Sequence, residues 1–217
     1  MLKVGIVGWR GMVGSVLMER MRAEDDVNDL EPVVFSTSQA GRKGPDIGRD
    51  TPAVADAYDE KLLGDQDIIV SCQGGGYTEK IYPALRTGNW TGYWIDAAST
   101  LRMTEDSVIV LDPVNRTVID QALEKSTKAY IGGNCTVSLM LMALGGLFEA
   151  DLIEWMTSMT YQASSGAGAQ NMRELVAQMQ SIGNDAAGLL ADPATAILNL
   201  DRQVTASLRG DTLPVDH

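Results

Sequence analysis

Histidine is nearly missing from this sequence. The one copy, His217, is the last of 217 residues, so a histidine zinc site or a Ser-His-Asp triad within the chain is excluded. Cysteine is almost as scarce. Cys72 and Cys135 form no C-x-x-C pair and cannot build a disulfide framework, which points to a reducing compartment and to no bound metal. Basic residues are outnumbered, 17 against 29 acidic, and the net charge of −12 disfavours nucleic acids and anionic membranes as partners. Small anions are still allowed, because one arginine or a helix N-terminus can hold them. Long apolar runs are lacking too. Ser138 to Phe148 (SLMLMALGGLF) is too short to span a bilayer. The N-terminal MLKVGIVGWRG loosely suggests a signal peptide, but Arg10 and the glycines interrupt its apolar stretch. A cytoplasmic location is expected.

What is present is core-forming material, with 45% hydrophobic residues. Short apolar runs alternate with helical stretches, the pattern of an α/β fold with a parallel sheet. Strands are expected at Leu2–Val7, Pro32–Phe35, Asp67–Cys72, Tyr93–Asp96, Val108–Leu111 and Ala129–Ile131. Helices are expected at Met12–Met21, with Val13, Val16, Leu17 and Met21 on one face, and near Thr78–Arg86 and Asn115–Glu124. Thr37–Asp56 reads as loop, and Gly74-Gly75-Gly76 as a turn. After Gly133 the grammar changes. A helix over Thr136–Phe148 leads to an expected strand at Leu152–Gln162, a Ser/Gly/Ala turn at Ser164–Gly168, and helices near Asn171–Ile182 and Ala194–Leu208. The boundary between two domains, 1–133 and 134–217, is drawn there.

The first strand runs into Gly8-Trp9-Arg10-Gly11-Met12-Val13-Gly14, a G-x-x-G-x-x-G turn that opens a helix. Glycines let the backbone approach a pyrophosphate, and the helix N-terminus offers free N–H groups to it. A Gly-rich turn of an ordinary α/β domain is the plainer alternative. The second strand ends in Phe35-Ser36-Thr37-Ser38 with no carboxylate to hold a ribose 2′-hydroxyl. Hydroxyls beside Arg10 or Arg42 suit a 2′-phosphate, so NADP is favoured over NAD.

Cys135 stands in Ile131-Gly132-Gly133-Asn134-Cys135-Thr136, between a strand end and the first turn of a helix. Helix termini favour the thiolate, and a thiolate beside a nicotinamide suits oxidation of an aldehyde through a thioester. A buried structural cysteine is an equal reading from spacing alone. Cys72, closing an apolar strand, fits that second reading.

Longer runs narrow the choice. GWRGMVGSVLM, FSTSQ, CQGG, YTEKIYP, GYWIDAAS-x-LRM, DPVN, GGNCTVSLMLM, TYQASSGAGA and LPVD together resemble the N-terminal part of bacterial aspartate-β-semialdehyde dehydrogenases of the Gram-negative type. The resemblance implies a Rossmann-like NADP-binding domain with a parallel sheet, followed by the start of an α+β substrate/dimerisation domain. It implies NADP-dependent, phosphate-requiring interconversion of L-aspartate 4-semialdehyde and L-4-aspartyl phosphate, a step towards lysine, threonine, methionine and diaminopimelate. It also implies a homodimer.

Carried over by motif, the nucleophile falls on Cys135, with Asn134 adjoining it. Substrate or phosphate binding falls on Arg102 and Gln162. Cofactor contacts fall on Gly8, Arg10, Gly11, Met12, Val13, Thr37, Ser38, Gln73, Ser165 and Gly166. Without the resemblance, Arg102 reads as a surface loop arginine and Gln162 as a polar strand end. The family's general acid/base histidine belongs to a part of its length beyond the matched runs, and no family motif surrounds His217. Two other functions stay open: a related acyl-phosphate reductase of the N-acetylglutamyl-phosphate type, and a fragment that binds NADP(H) without turnover or needs a partner segment.

Overall fold

In the computed structural model, residues 1–48, 51–211 and 213–215 are described; His217 lies outside them. The chain divides into two compact units, Met1–Thr160 and Tyr161–His217.

The first unit is built on one parallel sheet. Its strands are β1 (Leu2–Val7), β2 (Leu30–Ser36), β3 (Ala55–Asp56), β4 (Ile68–Ser71), β5 (Tyr93–Asp96), β6 (Ser107–Val110) and β7 (Ala129–Gly132). They lie in the order β3-β2-β1-β4-β5-β7-β6, all parallel to their neighbours. Parallel strands need crossover connections. These are supplied by α1 (Met12–Ala23), α2 (Glu60–Gly64), α3 (Gly75–Thr87) and α4 (Arg116–Glu124). From β1 the chain winds outward through β2 and β3, then returns to place β4 on the other side of β1. That reversal between β1 and β4 makes this a doubly wound, Rossmann-like α/β domain, with its crevice at the carboxyl ends of those strands.

The six strands expected before Gly133 are present, with ends shifted by up to two residues. The region expected as loop after β2 closes in β3, which pairs Phe35 with Ala55 and Ser36 with Asp56. Helix α2 escaped the sequence reading. Its start is marked by Asp59, whose carboxylate accepts from the Lys61 and Leu62 amides at 3.1 and 3.0 Å. Only five residues long, it is too short to display helical periodicity. The inner face of α1 is also corrected. Gly14 and Met18 are its buried residues, while Val13 and Val16 are about half exposed. The helix packs through Gly14 and Met18, with Met21 of the expected face against the same core cluster and Val13 and Val16 turned outward.

The core centres on Trp94 of β5, which is fully buried. Tyr82 and Trp90 meet it edge-on, with ring centroids 5.5 and 6.4 Å away, and Tyr77 stacks at 6.4 Å. At the amino ends of the strands, the Arg86 guanidinium lies over the rings of Tyr82 and Trp90. It donates to the carbonyls of Trp90, Gly92 and Lys128.

After β7 comes α5 (Cys135–Glu149), which buries none of its residues. Leu152–Gln162, expected as a strand, forms neither strand nor helix. Its apolar side chains stand in the open, with Leu152, Trp155, Met159 and Tyr161 all exposed. A strand exists only by pairing its backbone groups, and no described strand runs beside this segment. The second unit holds α6 (Ala169–Ala191) and α7 (Ile197–Arg209), joined by Ser207 donating to the Asp185 carboxylate at 2.7 Å. No described helix is long and apolar enough to cross a membrane.

Truncating Trp94 removes the centre of an aromatic cluster. Urea unfolding of Trp94→Ala is expected to show a loss of about 3–5 kcal/mol.

Candidate functional site

The carboxyl ends of β1, β2, β4, β5 and β7 carry most residues singled out by sequence. At β1 the chain turns through Gly8, whose φ is +78°. A Cβ there would lie 2.4 Å from the Cys72 carbonyl carbon, and one on Gly14 would lie 2.2 Å from the Gly8 carbonyl oxygen. Neither distance admits a side chain, so the first and third glycines of the motif are required by geometry. Gly11 has room, its nearest neighbour being the Gly8 oxygen at 3.5 Å. Gly11 is the N-cap of α1, and no side chain caps that end. Its first-turn amides and the side chains of Met12 and Val13, both more than half exposed, are open to a ligand.

Arg10 and Ser38 come together from 28 residues apart: the Arg10 guanidinium donates to Ser38 Oγ at 2.9 Å and lies 5.8 Å from the Trp9 ring centre. Thr37 stands beside them at the end of β2, half-buried. Ser36 Oγ accepts from the Ser38 amide at 3.3 Å and shapes that turn. Arg42, the alternative cation, has an exposed side chain. Gln73, following β4, is exposed. This edge fits a dinucleotide: close backbone approach, a free helix N-terminus, and a cation beside a hydroxyl.

Cys135 opens α5 and is exposed, with Thr136 Oγ1 as its nearest polar side-chain partner at 3.9 Å. Asn134 is the cap, accepting from the Val137 amide through its side-chain oxygen at 3.0 Å. Cys72 is different. Burial, reinforced by Asp96, pushes its thiol up to about 11, so it stays protonated at neutral pH.

Arg102 is no loose surface arginine. Its Nε donates to the Gly132 carbonyl at 2.9 Å, and its Nη2 to those of Gly133 at 3.2 Å and Ala97 at 3.5 Å. The guanidinium thus ties the loop after β5 to the peptides just before Asn134 and Cys135. Nη1 makes no hydrogen bond among the described residues and leaves a donor for an oxyanion.

Asp96, at the end of β5, was missed by sequence reasoning. It is 2% exposed, and its Oδ2 accepts from Thr78 Oγ1 at 2.5 Å and Trp94 Nε1 at 3.1 Å. Its Oδ1 accepts from the Ala98 amide at 2.8 Å. The signal available was a carboxylate closing an apolar run, Tyr93-Trp94-Ile95-Asp96.

Gln162, Ser165 and Gly166 lie in the second unit. Ser165 and Gly166 belong to a single 3-10 turn, Ser164–Ala167, and a Cβ on Gly166 would come 2.6 Å from the Gln162 side-chain amide. These three form their own local group.

Gly14→Ala is expected to abolish binding of a reduced nicotinamide dinucleotide in a fluorescence titration, while Gly11→Ala keeps the fold and weakens binding by less than about tenfold.

Two family models match the chain: the semialdehyde dehydrogenase NAD binding domain over residues 3–122, and the semialdehyde dehydrogenase dimerisation domain over residues 144–216. Among solved structures, the chain is similar to the aspartate semialdehyde dehydrogenase of Francisella tularensis, with 47% identity and a TM-score of 0.87, covering 94% of this chain and 55% of that one. The fold is shared with aspartate semialdehyde dehydrogenase II of Vibrio cholerae, described in complex with ASA. There the identity is 24% and the TM-score 0.70, over 85% of this chain and 53% of that one. It is shared also with the Candida albicans enzyme, described with NADP, at 17% identity and a TM-score of 0.50 over 69% and 47% of the two chains. The chain spans about half the length of these proteins. With its nucleotide-binding domain matched over more than half of its residues, the chain belongs to the semialdehyde dehydrogenase family.

Proposed function

We propose that the chain contributes the NADP site and the nucleophile of an aspartate-semialdehyde dehydrogenase, which interconverts L-aspartate 4-semialdehyde and L-4-aspartyl phosphate with phosphate as co-substrate. The observation that carries this reading is the placing of Cys135 at the carboxyl edge of the same sheet whose Gly8–Gly14 turn suits a pyrophosphate. Gly8, Gly11, Met12 and Val13 would hold the pyrophosphate side of the cofactor. Arg10, Thr37 and Ser38 would hold a 2′-phosphate, and the Arg10–Ser38 pair supports NADP over NAD. Gln73, Ser165 and Gly166 are assigned to the cofactor from the family motif. When bound, the nicotinamide supplies a hydride acceptor.

The Cys135 thiolate adds to the aldehyde carbon, and after oxidation the substrate is held as a thioester on sulfur. Phosphate then attacks the thioester carbonyl, and the Cys135 sulfur leaves as thiolate. The free Nη1 of Arg102 supports a role in orienting that phosphate and in stabilising the charge of the acyl-transfer transition state. Gln162 is assigned to the substrate and Asn134 to the nucleophile turn. The step serves synthesis of lysine, threonine, methionine and diaminopimelate, in the cytoplasm. The working assembly is a homodimer, a reading supported by the dimerisation-domain match.

A second reading, that the chain binds NADP(H) but turns over only with further polypeptide, is favoured by α5, which buries none of its residues, and by the exposed Leu152, Trp155, Met159 and Tyr161. One assay separates the two: NADP- and phosphate-dependent oxidation of L-aspartate 4-semialdehyde by the purified chain. Turnover that falls at least about 10³-fold in Cys135→Ser supports the first reading. NADPH binding without turnover supports the second reading. In the same assay Arg10→Ala is expected to raise KM for NADP roughly tenfold and leave KM for NAD little changed.

A further inference from the structure

The buried Asp96 carboxylate meets only donors, and all three belong to different parts of the fold: Thr78 from α3, Trp94 from β5, and the Ala98 amide from the loop after β5. The Ala98 bond fixes the start of that loop, and Arg102 near its end grips the Gly132 and Gly133 carbonyls. Those carbonyls precede Asn134, the cap of α5, and Cys135. Gly133 packs closely against α5: a Cβ there would lie 2.4 Å from Ser138 Oγ, in the first turns of that helix. Asp96 is thereby linked to the turn that presents Cys135 by the Ala98 hydrogen bond, the covalent backbone of loop 97–102 and the Arg102 hydrogen bonds. We propose that Asp96 is a positioning residue for Cys135, acting through Arg102. The proposal rests on the reading of Cys135 as nucleophile.

Chemistry explains why a carboxylate is needed there. Trp94 Nε1 and the Ala98 amide can only donate, and they bind different oxygens of Asp96. An ionised carboxylate accepts on both oxygens. The amide of Asp96→Asn accepts on one, so its NH2 group faces either the indole N–H or the Ala98 N–H. Thr78 is no obstacle to the exchange, because its hydroxyl can turn and accept.

The test reads Cys135 directly, without requiring turnover. Iodoacetamide alkylation of the purified chain is followed by mass spectrometry from pH 6 to 9, with a small-molecule thiol in the same mixture as reference; Cys72 cannot serve, because Asp96 itself raises its thiol. Thermal melting and NADPH binding report whether each variant is folded. In Asp96→Asn, Cys135 is expected to react about threefold more slowly at pH 7, with its rate–pH profile displaced to higher pH. The sign is informative: loss of a negative charge acting through space would favour the thiolate and speed the reaction. Arg102→Lys keeps the charge and loses the fork, and it should slow Cys135 similarly. The double variant should be no slower than either single one, because both break one path.

A Cys135 rate that is unchanged or faster in folded Asp96→Asn, or an additive double variant, overturns the proposal. Should Asp96→Asn fail to fold, an unchanged rate in Arg102→Lys overturns it on its own. Failure of the functional reading shows elsewhere, as turnover surviving in Cys135→Ser.

Discussion

Between the Gly8 carbonyl, the first turn of α1 and the Cys72 peptide, the backbones approach so closely that a Cβ would sit 2.2–2.4 Å from its neighbours. Steric exclusion at that point fixes the direction in which α1 leaves β1. It also fixes how near the loop after β4 comes to the loop after β1. The N-terminus of α1 thereby opens at the carboxyl edge of the sheet, where β2, β5 and β7 also end. Arg10 projects from the same turn and reaches Ser38 at the end of β2. The crevice is thus a consequence of two missing side chains as much as of any that are present.

The parallel sheet was legible because buried parallel strands are short continuous apolar runs, and Leu2–Val7 and Tyr93–Asp96 are found as read. Loop geometry was harder. Nothing in the local pattern of Ala55–Asp56 announces a strand, since its partner β2 lies about twenty residues earlier and only tertiary pairing defines it. On α1, periodicity gave the helix but misjudged its inner face, because a glycine contributes nothing to an apolar pattern and yet decides the contact. Asp96 stayed hidden for a related reason. Its role depends on donors from three separate elements, which no sequence window contains. The Arg10–Ser38 meeting was anticipated from chemistry, whereas the grip of Arg102 on the Gly132 and Gly133 carbonyls was not.

Residues after β7 show where periodicity misleads. Leu152–Gln162 has strand composition, yet in the described chain it lies unpaired with Trp155 and Met159 exposed. Composition states what a segment can do with a neighbour; the hydrogen-bond partner decides whether it does so. Helix α5 makes the complementary point: local backbone bonds sustain it without a single buried residue, as they cannot sustain a lone strand.

Arg86 sits at the far end of the strands from this chemistry. There one guanidinium fastens the segment around Trp90 and Gly92 to that around Lys128, under the cover of two aromatic rings. The sheet is in effect riveted at one margin and furnished with reactive groups at the other. Side chains at the furnished margin can therefore change while the riveted margin keeps the strands in register. The division of labour runs along the strand axis itself, and it makes such a scaffold reusable.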